Sequence, residues 1–286
     1  MELKHLEVKL SRATSMPILP TMITQVMMLA DNPNAGTRDF EKVISRDSVM
    51  TAKILRMANS AYYGGDGNIT GLQFALAKLG CNVVRSICVS VAMQSSLNSK
   101  SFGKTLNITQ LWQHSLAVAC AAKVLATLKR DPHAEEAFIS GLMHDLGKVA
   151  LAMFLPEETN KVYATMQMKK ISQYEAEQEC ISITHQQIGF AVAGHWSIPQ
   201  MYHSAIKNHH TPFAESIELD PLTAYVHVGN AIAHQAGLGV TPFDGNYEPD
   251  PLVLEFLGID KEQLAPLQLA VATSVSRLSS QMGLAA

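Results

Sequence analysis

The stretch Gly141-Leu142-Met143-His144-Asp145-Leu146-Gly147-Lys148 places an imidazole beside a carboxylate in an apolar segment with helical spacing. Neighbouring side chains of these two types can ligate one cation from a single helix. Histidine is also unevenly distributed, since ten of the 11 histidines, all but His5, lie at position 114 or later. The pattern predicts a chain of two parts, with metal chemistry, present or ancestral, in the second part.

Apolar residues recur at spacings of three and four almost throughout, and no stretch combines strict alternation with β-branched residues. The sequence therefore predicts an all-α protein. The polar, turn-rich segment 98–107 separates an N-terminal helical bundle, residues 1–107, from a second helical domain, residues 108–286, on which the bundle packs.

Helix boundaries follow from capping residues and from glycine and proline. In the first domain, a helix after Pro17–Pro20 should end near 31–33. Four more helices should follow. Two span 37–46 and 48–58, the third runs from a Thr70 cap to Gly80, and the fourth runs from an Asn82 cap to Leu97. In the second domain, helices are expected near 108–128, 134–153, 157–170, 172–181, 185–195, 199–209, 221–236 and 260–281, with a surface loop at 237–251.

The bulk properties exclude several classes of protein. A chain of 286 residues with 47% hydrophobic residues can bury a core. No apolar run approaches the roughly 20 residues that cross a bilayer, and the N-terminus has no signal-peptide pattern. Residues 1–107 carry a net charge of +5 and residues 108–286 carry −8, but the basic residues are scattered without aromatic interleaving. We therefore expect a cytoplasmic protein that binds neither membrane nor nucleic acid.

A metal site in a helical bundle must take its ligands from inward helix faces. His114 lies three residues after Leu111 and four before Val118, on the apolar stripe of its helix. One histidine in such a position is more often a hydrogen-bonded core residue, but joint occurrence favours ligation. The candidate ligands are His114, His144, Asp145, His185, His209, His210 and Asn230. The remaining histidines, His133, His195, His203, His227 and His234, are interpreted as surface or packing residues.

Imidazoles with a bridging carboxylate suit divalent iron, manganese, zinc or nickel rather than calcium or magnesium. The site could hold one or two ions. Two ions about 3.5–4 Å apart with Asp145 between them would suit phosphoester hydrolysis. Asp145 and Lys148 are then the candidate catalytic residues, because Lys148 could offset charge on phosphoryl oxygens. A solvated lysine is the alternative interpretation of Lys148.

These residues resemble the HD superfamily of metal-dependent phosphohydrolases, and most of residues 17–235 resembles its HDOD branch, known mainly as a bacterial signalling output domain. Besides the stretch around His144, the similarity rests on several segments. They are Ile54–Tyr63, Ala75–Gly80, His185–Gly189, Trp196–Pro199 and His209–Pro212.

By position, the resemblance implies that the first HD histidine is His114, the doublet is His144-Asp145, and the final aspartate is replaced by Asn230. It also implies that His185, His209 and His210 match the additional ligands of two-metal HD enzymes. Asn230 removes a negative charge, and Thr211-Pro212-Phe213-Ala214 stands where HD-GYP phosphodiesterases have Gly-Tyr-Pro.

Two functions remain open at this point. The first is a non-catalytic or weakly catalytic regulatory module that contacts signalling proteins and has a degenerate metal pocket. The second is a metal-dependent phosphohydrolase acting on a nucleotide or another phosphoester.

Overall fold

The structure is a computed structural model, and it describes residues 21–30, 32, 34–65, 67–97, 106–213, 218–239 and 247–282. These residues contain helices and turns and no strand, so the all-α prediction is confirmed. They group into two compact units, 21–96 with 273–282, and 97–272. The division at residue 107 stays a prediction. The expectations for residues 17–20 and most of 98–107 lie outside the described part of the chain.

Together with residues 273–282 at the end of the last helix, the smaller unit is built from five N-terminal helices and a short 3-10 turn. They are α1 (Thr21–Ala30), α2 (Thr37–Ile44), α3 (Ser48–Ala58), the turn Ala61–Tyr63, α4 (Leu72–Leu79) and α5 (Cys81–Leu97). Two predicted caps are wrong. Gly71 precedes α4 in place of Thr70, and α5 begins directly after Gly80. Gly80 has φ +79°, which favours glycine, and α4 and α5 meet there at 109°.

Asn59 fixes the end of α3 through its side chain. Its amide nitrogen donates to the carbonyls of Leu55 and Ile69, and its amide oxygen accepts from the Ile69 amide. Gly65 lies directly against this turn, because a Cβ there would be 2.2 Å from the Asn59 carbonyl carbon. The Asn59-Ser60 segment therefore terminates a helix.

The larger unit carries the candidate site. Its helices are α6 (Ile108–Leu128), α7 (Ala134–Met143), α8 (Leu146–Phe154), α9 (Pro156–Lys169), α10 (Gln173–Ile181), α11 (His185–His195), α12 (His203–Asn208), α13 (Pro221–Gln235), α14 (Pro251–Leu257) and the first part of α15 (Leu264–Met282). The helix α14 was not predicted, because its seven residues lie between the end of the presumed loop, at 251, and the helix expected from 260. Helix α6 packs against α7 and α13, and α8 packs against α11.

One prediction fails at an informative position. A single helix was expected over 134–153, but it is interrupted at His144 and Asp145. Asp145 has φ −98° and ψ +16°, and the Lys148 amide bonds to the Asp145 carbonyl three residues back. The two side chains thus converge because the helix breaks between them; a continuous helix would set them about 100° apart.

By length and composition alone, two helical segments could span a bilayer, Ile108–Leu128 and Ala134–Phe154, or three if the bent α4–α5 pair counts as one. Both segments contain polar residues, so neither is a continuous apolar run. Most of each 18-residue window, 72% and 83%, is buried inside the protein.

Candidate metal centre

Two glycines bring the site helices together. A Cβ on Gly147 would lie 1.7 Å from the His185 carbonyl oxygen, and a Cβ on Gly189 would lie 3.1 Å from the Gly147 nitrogen. The absence of a side chain at Gly189 thus lets α8 and α11 approach closely. At the start of α11, Thr184 accepts a hydrogen bond from the Gln187 amide and forms a capping box with it, as expected for an N-cap. This packing sets His185 beside the His144-Asp145 break.

Asp145 lies at the centre of the cluster. Its Oδ2 is 3.2 Å from His144 Nε2, 3.8 Å from His114 Nε2 and 2.8 Å from Lys148 Nζ. Its Oδ1 is 3.4 Å from His185 Nε2 and 3.7 Å from His209 Nε2. One carboxylate thus faces a first half-site, His114 and His144, and a second half-site, His185, His209 and His210.

Hydrogen bonds on the outer side of the rings set their tautomers. The Nδ1 atoms of His144 and His209 face main-chain carbonyls, at 2.7 Å for Gly141 and 3.1 Å for Ile206. The Nδ1 of His185 is 2.7 Å from Glu177 Oε2. A carbonyl or carboxylate accepts, so Nδ1 carries a proton, and in the neutral ring Nε2 keeps its lone pair. Each of these lone pairs is directed inward, toward the site.

Burial lowers the pKa values of three imidazoles of the site, those of His114, His209 and His210. It lowers the pKa of His114 to about 3. Burial and the neighbouring histidines hold the pKa values of His209 and His210 well below the usual range. Burial raises the pKa of Asp145, but the contacts of its carboxylate with His144 and Lys148 outweigh that effect, so this pKa lies well below the usual range. The cluster therefore offers three neutral imidazoles, those of His114, His209 and His210, beside an ionised carboxylate.

The donor set fits a metal ion. The Nε2 of His185 is 3.2 Å from that of His209 and 3.1 Å from that of His210. In the neutral rings the Nε2 atoms of His185 and His209 both carry lone pairs, so neither can donate a hydrogen bond to the other. Within the described residues, His144 Nε2, both Asp145 oxygens and Asn230 Oδ1 are buried without a hydrogen bond of acceptable geometry. Buried polar atoms normally find a partner. A cation coordinated by nitrogen and oxygen would satisfy these atoms together.

All the ligands predicted from sequence lie in the larger unit, and six of them converge on the pocket. The ligand atoms in each half-site lie within 4.8 Å of one another. Asn230 is buried on α13, and its amide interacts with the hydroxyl of Tyr247. That hydroxyl is also 3.0 Å from His210 Nδ1. The assignment of these residues as metal ligands stays a prediction.

Three residues near the site were missed by the sequence reasoning. Glu177 is fully buried and accepts from both the amide and Nδ1 of His185. A carboxylate at helical spacing from Gln173 and Ile181, on the inward face of α10, was the available signal. Tyr247 lies in the presumed surface loop, so nothing singled it out. His234 was interpreted as a surface or packing residue, yet its ring centroid is 4.8 Å from that of His114.

The other four histidines have no place among the candidate ligands. His133 and His195 are exposed. His203 contacts the Ile198 carbonyl. His227 bridges the His209 carbonyl and the Asp250 amide, which is a packing role.

A cavity of about 620 Å³ opens above the cluster. His185, His210, Tyr247, Lys148 and the exposed Lys170 line it. Its remaining lining is formed by Ile171, Ser172, Gln173, Tyr174, Glu175, Gln178 and His234. The volume suits a small ligand, and the lysines would favour an anionic one.

The fold and the site together define an all-helical protein whose pocket is built around an adjacent histidine and aspartate, His144 and Asp145. A model of the HDOD domain matches residues 16–212, and the chain belongs to this family. Among solved structures, an HDOD domain protein of unknown function from Geobacter sulfurreducens is 23% identical. The superposition covers 99% of this chain and 97% of the Geobacter protein, with a TM-score of 0.77. A protein from Shewanella amazonensis SB2B, provisionally described as a phosphohydrolase, is 20% identical over 97% of each chain, with a TM-score of 0.73.

An uncharacterized protein of Treponema pallidum (strain Nichols) is 26% identical over 254 residues, which is 88% of this chain. This chain matches 48% of that relative, so it spans about half the length of the curated protein. The solved structures are below 25% identity and support the fold.

Proposed function

We propose that this chain is a bacterial regulatory module that acts in the cytoplasm. Its pocket binds one or two divalent transition-metal ions, with iron, manganese, zinc and nickel as the candidates. It turns over a substrate weakly or not at all. The observation that carries the proposal is the convergence of imidazole lone pairs on Asp145 beneath a ligand-sized cavity.

The regulatory assignment rests on what the pocket lacks for two-metal hydrolysis. Asn230 supplies a neutral amide where the HD pattern has a carboxylate, and the Gly-Tyr-Pro segment is replaced by Thr211-Pro212-Phe213. The expected partners are other signalling proteins, with a phosphorylated small molecule or nucleotide in the cavity. Membrane and nucleic acid are not expected as partners.

A metal-dependent phosphohydrolase is the second candidate, and the position of Lys148 favours it. Lys148 lines the cavity and lies 2.8 Å from Asp145, where its ammonium could bind phosphoryl oxygens. A bound metal would supply an acidified water and a Lewis acid. His114, His144, Asp145 and the second half-site would hold it, while Lys148 and Lys170 would orient an anionic substrate.

The experiment that separates the two functions starts with elemental analysis of protein purified without chelator. A phosphatase and phosphodiesterase screen follows, with manganese or iron added. Metal-loaded protein that is inert toward every phosphoester supports the regulatory module. Turnover that is lost in Asp145→Ala, but kept in the exposed control Glu179→Gln, establishes the hydrolase instead. Protein that binds no metal under any condition refutes the metal pocket common to both.

A further inference from the structure

The two oxygens of Asp145 face different surroundings. Oδ2 has an ion pair with Lys148 Nζ at 2.8 Å, closer than either histidine of the first half-site. Among the described residues, the ion-pair partners of Oδ1 are the histidines of the second half-site, His185 and His209. One face of the carboxylate is therefore already neutralised by a resident cation.

Lys148 is well placed for this role. Its side chain is 13% exposed and that of Asp145 is 1% exposed, and an ion pair so far from water is strong because the effective dielectric constant is low. The ammonium is a compact point charge that suits a single carboxylate oxygen. A metal ion in the first half-site would have to displace the ammonium or lie against it. The neutral Asn230 adds no charge to offset that repulsion.

The second half-site has the opposite balance. It offers three imidazoles and the free Asp145 Oδ1, and a second buried carboxylate, Glu177, accepts from His185 Nδ1. A carboxylate behind a ligating histidine fixes its ring and makes the other nitrogen a better donor. Three nitrogens and one carboxylate oxygen form a donor set that transition metals favour.

We propose that Lys148 is the resident cation of the first half-site, so that the pocket binds one divalent metal ion, in the second half-site, rather than two. The proposal rests on the metal-binding function proposed above and assigns its stoichiometry and place. In this arrangement the Lys148 ammonium supplies the positive charge that a second metal ion would otherwise supply beside Asp145 Oδ2.

The test is a metal count on the full chain. Protein is stripped with a chelator, loaded with zinc or manganese, desalted and analysed by mass spectrometry for ions per chain. Wild-type protein is expected to bind one ion, Lys148→Met two, and the charge-preserving control Lys148→Arg one. Electron paramagnetic resonance of the manganese forms should show an isolated ion in wild type and a coupled pair in Lys148→Met.

Two further variants locate the ion in a background that keeps Lys148. His209→Ala should lose the ion, while His114→Ala should keep it. The reverse result would overturn the proposal even if Lys148→Met does not fold. Two ions in wild type would also overturn it, as would one ion in a folded Lys148→Met, and in both cases the metal-binding function would stand. Zero ions in every folded form would refute that function as well.

Discussion

Glu177 offers the sharpest test of how residues behind the ligands support the pocket. Its Oε2 accepts from the amide and from Nδ1 of His185, each at 2.7 Å, and its Oε1 accepts from Gln173 Nε2 at 2.7 Å. The substitution Glu177→Gln keeps the size of the side chain but removes its negative charge. The bond that orients His185 and makes its Nε2 a better donor is thereby weakened.

The expected loss is a 10–100-fold weaker metal affinity, or about 1.4–2.7 kcal/mol, as found for partners of ligating histidines. Affinity is measured by calorimetric titration of zinc, or by competition with a chromogenic chelator. The matched control is Glu179→Gln, an exposed carboxylate on the same helix that pairs with Lys169. Circular dichroism and thermal unfolding of the metal-free forms separate an effect on binding from one on folding. A dissociation constant within twofold of wild type in folded Glu177→Gln would refute the reasoning.

Three further predictions concern charge and space around the pocket. Because burial lowers the folded-state pKa of His114 to about 3, below the unfolded value of about 6.5, the unfolded chain takes up the proton first. The free energy of unfolding of metal-free protein should therefore fall below pH 6.5, by up to ~1.4 kcal/mol per pH unit for this group. Equal stability at pH 7 and pH 5 in denaturant titrations would contradict this.

In Gly147→Ala the new Cβ meets the His185 carbonyl, and we expect a loss of about 3 kcal/mol in the same assay. Gly194→Ala, with open space around its Cβ, should gain about 0.5–1 kcal/mol; similar effects of both substitutions would disprove the steric account. Asn230→Asp restores a carboxylate near the first half-site, and its ion count should rise above that of wild type. An unchanged count would show that charge at this position is not limiting.

Helix periodicity and capping located most of the described helices, because both depend on neighbours within one turn. The same rules failed where an effect of the whole fold intervened. The break at His144 and Asp145 has no glycine or proline within it, so the local pattern predicts a continuous helix. Thr70 and Asn82 are capping residue types, but the turns at Gly71 and Gly80 start the helices instead.

The ligand set was accessible to sequence reasoning because histidines on inward faces are unusual and occurred together. The residues behind the ligands were not accessible in the same way. Glu177 is eight residues from His185, and its role depends on how α10 returns toward α11. Tyr247 reaches the pocket from a segment that composition marks as loop. Contacts of this kind depend on tertiary arrangement, which neither spacing nor composition encodes.

The contact between Gly147 and Gly189 has a practical consequence for mutational surveys. A library scored for loss of binding would return Gly147 together with the histidines, although none of its atoms coordinates anything. What it contributes is vacant volume, and a larger residue would push one ligand-bearing backbone away from the other. Ranking positions by loss of binding alone would therefore identify Gly147 as a metal ligand, although its role is to leave space between two backbones.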